Sequence, residues 1–200
     1  GMVFLVGERA YKVKKPVVTD FLDFSILDKR VEACTREVML NRRIAPGSYL
    51  GLGRFTGPSG EAEPVIVMRR HPEDSRLATL VRRGQDVSGT LGAVAAVLAR
   101  FHAGAVRGRR IDDEARVDAV ARRWQDNIAE LQHYAAGPVP GLDGDLVAEI
   151  DSLASKFITG RAVLFAARIM HGRIVDGHAD LLADDIFCLP HGPELLDCLE

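Results

Sequence analysis

The chain is poor in the features that most quickly assign a protein to a class. It has three cysteines in 200 residues, Cys34, Cys188 and Cys198. The number is odd, no CxxC pair occurs, and two of the three sit in apolar runs. That argues against a disulfide framework and a paired-cysteine zinc site, and it fits reduced, partly buried thiols in a cytoplasmic protein. An excess of one charge is also missing. The net charge is -2 and the pI near 6.3, whereas a nucleic-acid binder usually carries a strongly basic stripe. Arginine pairs do occur, at 42–43, 69–70, 82–83, 109–110 and 122–123, but acids are scattered among them and they read as solvated faces. No apolar run approaches the roughly 20 residues that a bilayer requires, and no leader peptide is evident. Neither nucleic acid nor membrane is therefore expected as a partner. Repeats and low-complexity tracts are absent. His71, His133, His171 and His191 have no ligand spacing, and His102 reads as a packed or dipole-stabilised histidine near a helix end. Gly51-Leu52-Gly53 is only half of a dinucleotide fingerprint.

What remains is the composition of an ordinary globular protein, 47% hydrophobic and 27% charged. It suffices to bury a core in one sizeable domain or two small lobes. The opening stretch MVFLVGERAYKVKK reads as a hairpin, with Gly7-Glu8 as its turn and Ala10, Lys12 and Lys14 on one face of the second strand. A loop and a helix follow, with Leu27, Val31, Cys34 and Val38 at helical spacing, Ser25 and Asp28 as a capping-box variant, and Pro46-Gly47 as the stop. YLGLGRF and PVIVMRR read as two more strands around the exposed, turn-rich TGPSGEAE.

After His71 the composition changes. One helix carries Leu91, Val94, Leu98, Phe101 and Ala105, with Asp86 or Ser88 as its N-cap. Further helices are expected near 113–134, 143–157 and 159–171, with GPVPG (137–141) separating the first two. RIV, IFCLP and ELLDCLE read as short closing strands, with His191-Gly192 as a turn. The expected class is α+β in two lobes. Residues 1–70 would form a small antiparallel sheet with one helix, and residues 71–200 a mainly helical lobe with a hairpin over 186–200.

The densest chemistry lies in VDGHADLLADDIFCLP, 175–190, where one histidine and four aspartates stand between apolar runs. Carboxylates so close repel and raise one another's pKa, so the stretch is a solvated turn, a cation site or a catalytic loop. Its pattern, His178-Ala179-Asp180 with Asp185 five residues on and Asp197 in LLDCL, resembles the catalytic loop and metal-binding aspartate of protein-kinase-like enzymes. It resembles the aminoglycoside phosphotransferase family more than the protein kinases. Arg9-Ala10-Tyr11-Lys12 is similar to the x-A-x-K of those enzymes, and Glu37 in CTREVMLNRR to the glutamate that pairs with their lysine.

The resemblance implies a kinase-like fold and transfer of the ATP γ-phosphate to a hydroxyl of a small molecule. In that scheme Asp180 accepts the hydroxyl proton, Asp185 and Asp197 hold Mg²⁺, Lys12 pairs with phosphates and with Glu37, and Met68 lies near the adenine. His178 would brace the loop through hydrogen bonds. Lys14, on the same strand face, stays open as a substitute for Lys12. The chain departs from the family pattern in having no glycine-rich loop, Asp185 in place of Asn, and Ala179 in place of Gly. The resemblance also implies further helices after Glu200 and, in longer chains of this kind, a fused P-loop domain. No GxxxxGK[ST] occurs here. The departures suit a second expectation, a pseudokinase that serves as a regulatory or interaction module.

Overall fold

The computed structural model describes residues 1–18, 23–58, 60–135, 137 and 141–199. These form two compact units, residues 1–103 with 177–200, and residues 104–176. The expected lobe boundary at residues 70–71 falls inside the first unit.

The first unit is built on a four-stranded antiparallel sheet of β1 (Met2–Val6), β2 (Arg9–Val13), β3 (Tyr49–Thr56) and β4 (Ala62–Arg69), in the order β1-β2-β4-β3. Alternation in RAYKV puts Ala10 and Lys12 on one face, as expected. Ala10 pairs with Met68 and Lys12 with Ile66. Helix α1 (Leu27–Asn41) packs on that face, and the β5 (Ile186–Leu189) and β6 (Gly192–Leu195) hairpin contributes to the same core. Cys34 and Val38 from α1, Tyr49, Ile66 and Met68 from the sheet, and Phe187 and Leu196 from the hairpin region are all buried there. Each large apolar side chain among them is worth roughly 1.5–3 kcal/mol of burial. Cys34 and Cys198 are both buried. A second cluster joins Leu77 of α2 (Leu77–Arg82) and Val94 of α3 (Ser88–Gly104) to Ile186 and Leu195.

The second unit is helical: α4 (Arg109–Glu114), α5 (Val117–Ala135), α6 (Gly144–Gly160) and α7 (Ala162–Met170). Asp143 caps α6 by accepting hydrogen bonds from the amides of Asp145 and Leu146. Trp124 of α5 donates its indole N–H to Asp151 of α6 at 2.9 Å.

The arrangement is α+β, as the sequence implied, but several local expectations are corrected. Ile26 and not Ser25 is the N-cap of α1, and no side chain caps it. Ser25 instead donates to Asp23 from both its amide and its hydroxyl, a local Asx turn that competes with capping. The expected helix at 113–134 forms as α5, starting at Val117, and its first two residues instead end α4. Helix α2 was not anticipated, because six residues carry too little periodicity. Ala105 lies just past the end of α3, and α7 starts at Ala162. RIV (173–175) forms no strand, and the closing strand ends at Leu195, leaving Asp197 in irregular backbone. Part of the expected GPVPG break and Ser59 of the TGPSGEAE loop lie outside the described residues. Among the described residues no helix is long and apolar enough to cross a membrane.

Candidate active site

Lys12 reaches the candidate site because strand alternation aims it at α1. Its Nζ lies 2.8 Å from Oε1 of Glu37 and 2.6 Å from Oδ1 of Asp197. Glu37, one helical turn before the end of α1, is buried and also accepts an ion pair from Lys14 through its other oxygen. Both lysines therefore share Glu37, and among the described residues Lys12 is the one that also pairs with Asp197. Burial alone would depress the Lys12 ammonium pKa. The carboxylates of Glu37 and Asp197 outweigh it and hold the pKa above the usual lysine value. Lys12 thus stays charged.

Asp197 has a left-handed backbone, φ 64°, a region that non-glycine residues enter at a cost. Its neighbourhood pins it there. The amide of Leu196 donates to the carbonyl of Asp185 (2.9 Å), that of Asp197 to the hydroxyl of Tyr49 (3.2 Å), that of Cys198 to Oδ1 of Asn41 (2.7 Å), and that of Leu199 to the carbonyl of His178 (3.1 Å). Four consecutive N–H groups are thereby tied to the acidic loop, β3 and α1.

The acidic loop supplies the remaining candidates. Asp185 closes a short 3-10 turn, Ala183–Asp185. Its carboxyl pKa is raised, first by burial and then by the negative charge of Asp197; Lys12 and Arg76 oppose the shift. Asp180 is exposed, and its charge is felt by both Asp185 and His178. His178 is buried, and neither ring nitrogen has a hydrogen-bond partner among the described residues. Burial keeps its pKa below the ordinary histidine value, against weaker opposing pulls from the charges of Asp197 and Asp180. His178 was expected to brace the loop through hydrogen bonds; the brace that forms is its backbone carbonyl, accepting from Leu199. Met68 is a core residue on β4, opposite Ala10 and Tyr49.

The structure thus brings Lys12, Glu37 and Asp197 into direct contact and sets Asp185 within their field. Sequence reading missed Asn41 and Tyr49, which hold the Asp197 segment. An asparagine at a helix end and a tyrosine at a strand start carry no motif, and their value appears only once residues about 150 positions away fold against them. Among the described residues, no group of three or more His, Cys, Asp or Glu side chains is placed to hold a metal ion by itself. A site of two carboxylates completed by phosphate and water oxygens is the usual habit of Mg²⁺, and Asp185 and Asp197 are the residues that could hold such a cation.

No family model matches the chain, and no solved structure matches it. Over all 200 residues it is 54% identical to uncharacterized proteins of Mycobacterium tuberculosis (strains CDC 1551 / Oshkosh and ATCC 25618 / H37Rv) and Mycobacterium bovis. The chain spans 40% of the length of these curated relatives.

Proposed function

We propose that this chain is the phosphotransferase part of a kinase-like protein related to the aminoglycoside phosphotransferases, moving the ATP γ-phosphate to a hydroxyl of a small molecule. The observation that carries the reading is the Lys12–Glu37–Asp197 cluster. A strand lysine, a helix glutamate and a late aspartate meet at 2.8 and 2.6 Å, the three residue types that phosphoryl-transfer sites of this kind join.

In this reading Lys12, kept charged and oriented by Glu37, pairs with phosphate oxygens. Asp185 and Asp197 would hold Mg²⁺, which would supply positive charge against the phosphates. Asp180, exposed at the loop, receives the proton of the acceptor hydroxyl as its oxygen attacks the γ-phosphorus. The bond from that phosphorus to the bridging oxygen breaks, and ADP departs. His178, buried and disfavoured as a cation, packs beneath the loop. The chain covers 40% of the length of its relatives, and in this reading a longer protein would complete the acceptor site and carry a fused or partner P-loop domain.

A second reading, a pseudokinase module with weak or absent nucleotide binding, is favoured by one observation. The β1–β2 turn is only Gly7-Glu8, too short for a glycine-rich phosphate cradle. Isothermal titration of Mg-ATP separates the two readings. Binding that requires Mg²⁺ and is lost in Asp197→Ala supports the transferase. Absence of binding in the wild type removes it and leaves the module.

A further inference from the structure

The Asp197 segment is held more firmly than an irregular four-residue stretch requires. Asn41 is fully buried at the last position of α1. Its Nδ2 donates to the carbonyls of Glu37 (2.9 Å) and Cys198 (3.2 Å), and its Oδ1 accepts from the Cys198 amide (2.7 Å). One side-chain amide therefore treats Cys198 as an adjacent strand would, with a donor and an acceptor. Tyr49, also fully buried, accepts from the Asp197 amide through its hydroxyl at 3.2 Å. Asn41 stands one helical turn after Glu37 and is bonded to its carbonyl. The element that presents Glu37 to Lys12 is thus the element that grips the residue after Asp197.

We propose that Asn41 and Tyr49 are positioning residues that keep the Asp197 carboxylate permanently presented, so that this arm of the site stands assembled before any ligand arrives. The proposal rests on the reading of Asp197 as a metal-binding residue. It adds a statement about regulation: presentation of the carboxylate does not wait on ligand binding. Three features make the clamp specific. The left-handed backbone at Asp197 (φ 64°) persists only where its surroundings over-determine it. All four amides from 196 to 199 are bonded, two of them by these side chains. Both side chains are buried, so breaking either bond leaves a polar group without water.

The test uses the full chain with Tyr49→Phe and Asn41→Ala. The first readout is hydrogen exchange of the amides at 196–199. Loss of one buried hydrogen bond should speed exchange by about 5-fold in Tyr49→Phe. The second readout is ATP binding, titrated with Mg²⁺ and repeated in EDTA. The expected result is a Mg²⁺ requirement shifted upward by about 3- to 10-fold, with ATP affinity in EDTA within about twofold of wild type. A general loosening of the fold would weaken both affinities together. Equal weakening with and without Mg²⁺, or unchanged exchange at 196–199 in both variants, overturns the proposal. If wild-type protein binds no ATP at any Mg²⁺ concentration, the reading of the site fails first. Accelerated exchange in Tyr49→Phe would then leave a clamp of purely architectural value and overturn its role in presenting a metal-binding carboxylate.

Discussion

Nζ of Lys12 lies 2.6 Å from Oδ1 of Asp197, although 185 residues separate them. The contact closes the chain on itself. A hairpin at the start and irregular backbone near the end meet over α1, and the sheet and hairpin cores on either side are continuous through Tyr49, Phe187 and Leu196. Three carboxylates, Glu37, Asp185 and Asp197, share this region with two ammonium groups, Lys12 and Lys14. Arg76 bears on Asp185 as well; in the proposed reading a divalent cation would sit against Asp185 and Asp197.

The two lysines are not equivalent, and replacing each separates their roles. Lys12→Met leaves both Glu37 and Asp197 without their shared partner in a partly buried setting. Removing one member of such a pair is expected to cost about 3 kcal/mol. Lys14→Met leaves Glu37 still paired with Lys12 and should cost about 1 kcal/mol or less. Urea unfolding of the two variants checks the order. A larger loss for Lys14→Met would reverse the assignment of the central lysine.

Much of this arrangement was legible in the sequence because it rests on period and spacing. Alternation in RAYKV put Lys12 on the face of Ala10, and helical spacing put Glu37 on the single early helix. The turn residues bounded the strands. What was not legible depends on long-range packing. Ser25 satisfied Asp23 rather than the helix it precedes. RIV has strand composition but no neighbour to pair with among the described residues. Asn41 and Tyr49 gain their meaning only from the fold's closure on Cys198 and Asp197. His178 was legible as a loop residue, but not as a buried ring with neither nitrogen bonded.

Asp185→Asn tests the electrostatic strain directly. The folded-state pKa of Asp185 is raised above its unfolded value, mainly by burial and by Asp197. The sign follows from linkage: between the two pKa values the folded state binds more protons, so stability falls as pH rises through that window. The cost is fully present at neutral pH and vanishes below the unfolded value near 3.8. Asp185→Asn should therefore raise the melting temperature by a few degrees at pH 7 and change it little near pH 3. A destabilised variant at pH 7 would mean that the pull of Lys12 and Arg76 outweighs burial and Asp197.

Ala179 occupies a left-handed backbone position, φ 72°, immediately before Asp180. Alanine pays about 1–2 kcal/mol there, and glycine very little. Part of that gain returns as the larger unfolded-state entropy of glycine. Ala179→Gly should thus stabilise by about 0.5–1 kcal/mol in denaturant titration. A loss of stability would show that the chain does not need this conformation in solution.

The division of labour between Asp180 and Asp197 can be read from one pair of variants. Asp180 is exposed at the loop, whereas Asp197 is paired with Lys12 and pinned through its backbone. If Asp180 handles the acceptor proton, Asp180→Asn keeps Mg-ATP affinity within about twofold while turnover falls by about 10²-fold or more. In the proposed reading Asp197→Asn removes a charge that Mg²⁺ and Lys12 would both see, so Mg-dependent affinity itself should fall by about tenfold, the equivalent of about 1.4 kcal/mol. Titration calorimetry measures the affinities, and ADP release with a panel of small alcohols measures turnover. Equal loss of affinity in both variants would place Asp180 among the metal-binding residues and return the proton-accepting role to an unassigned group. Full turnover in Asp180→Asn would take the proton-accepting role away from this loop, whereas no turnover in the wild type would leave the Lys12–Glu37–Asp197 cluster as the core of a binding module.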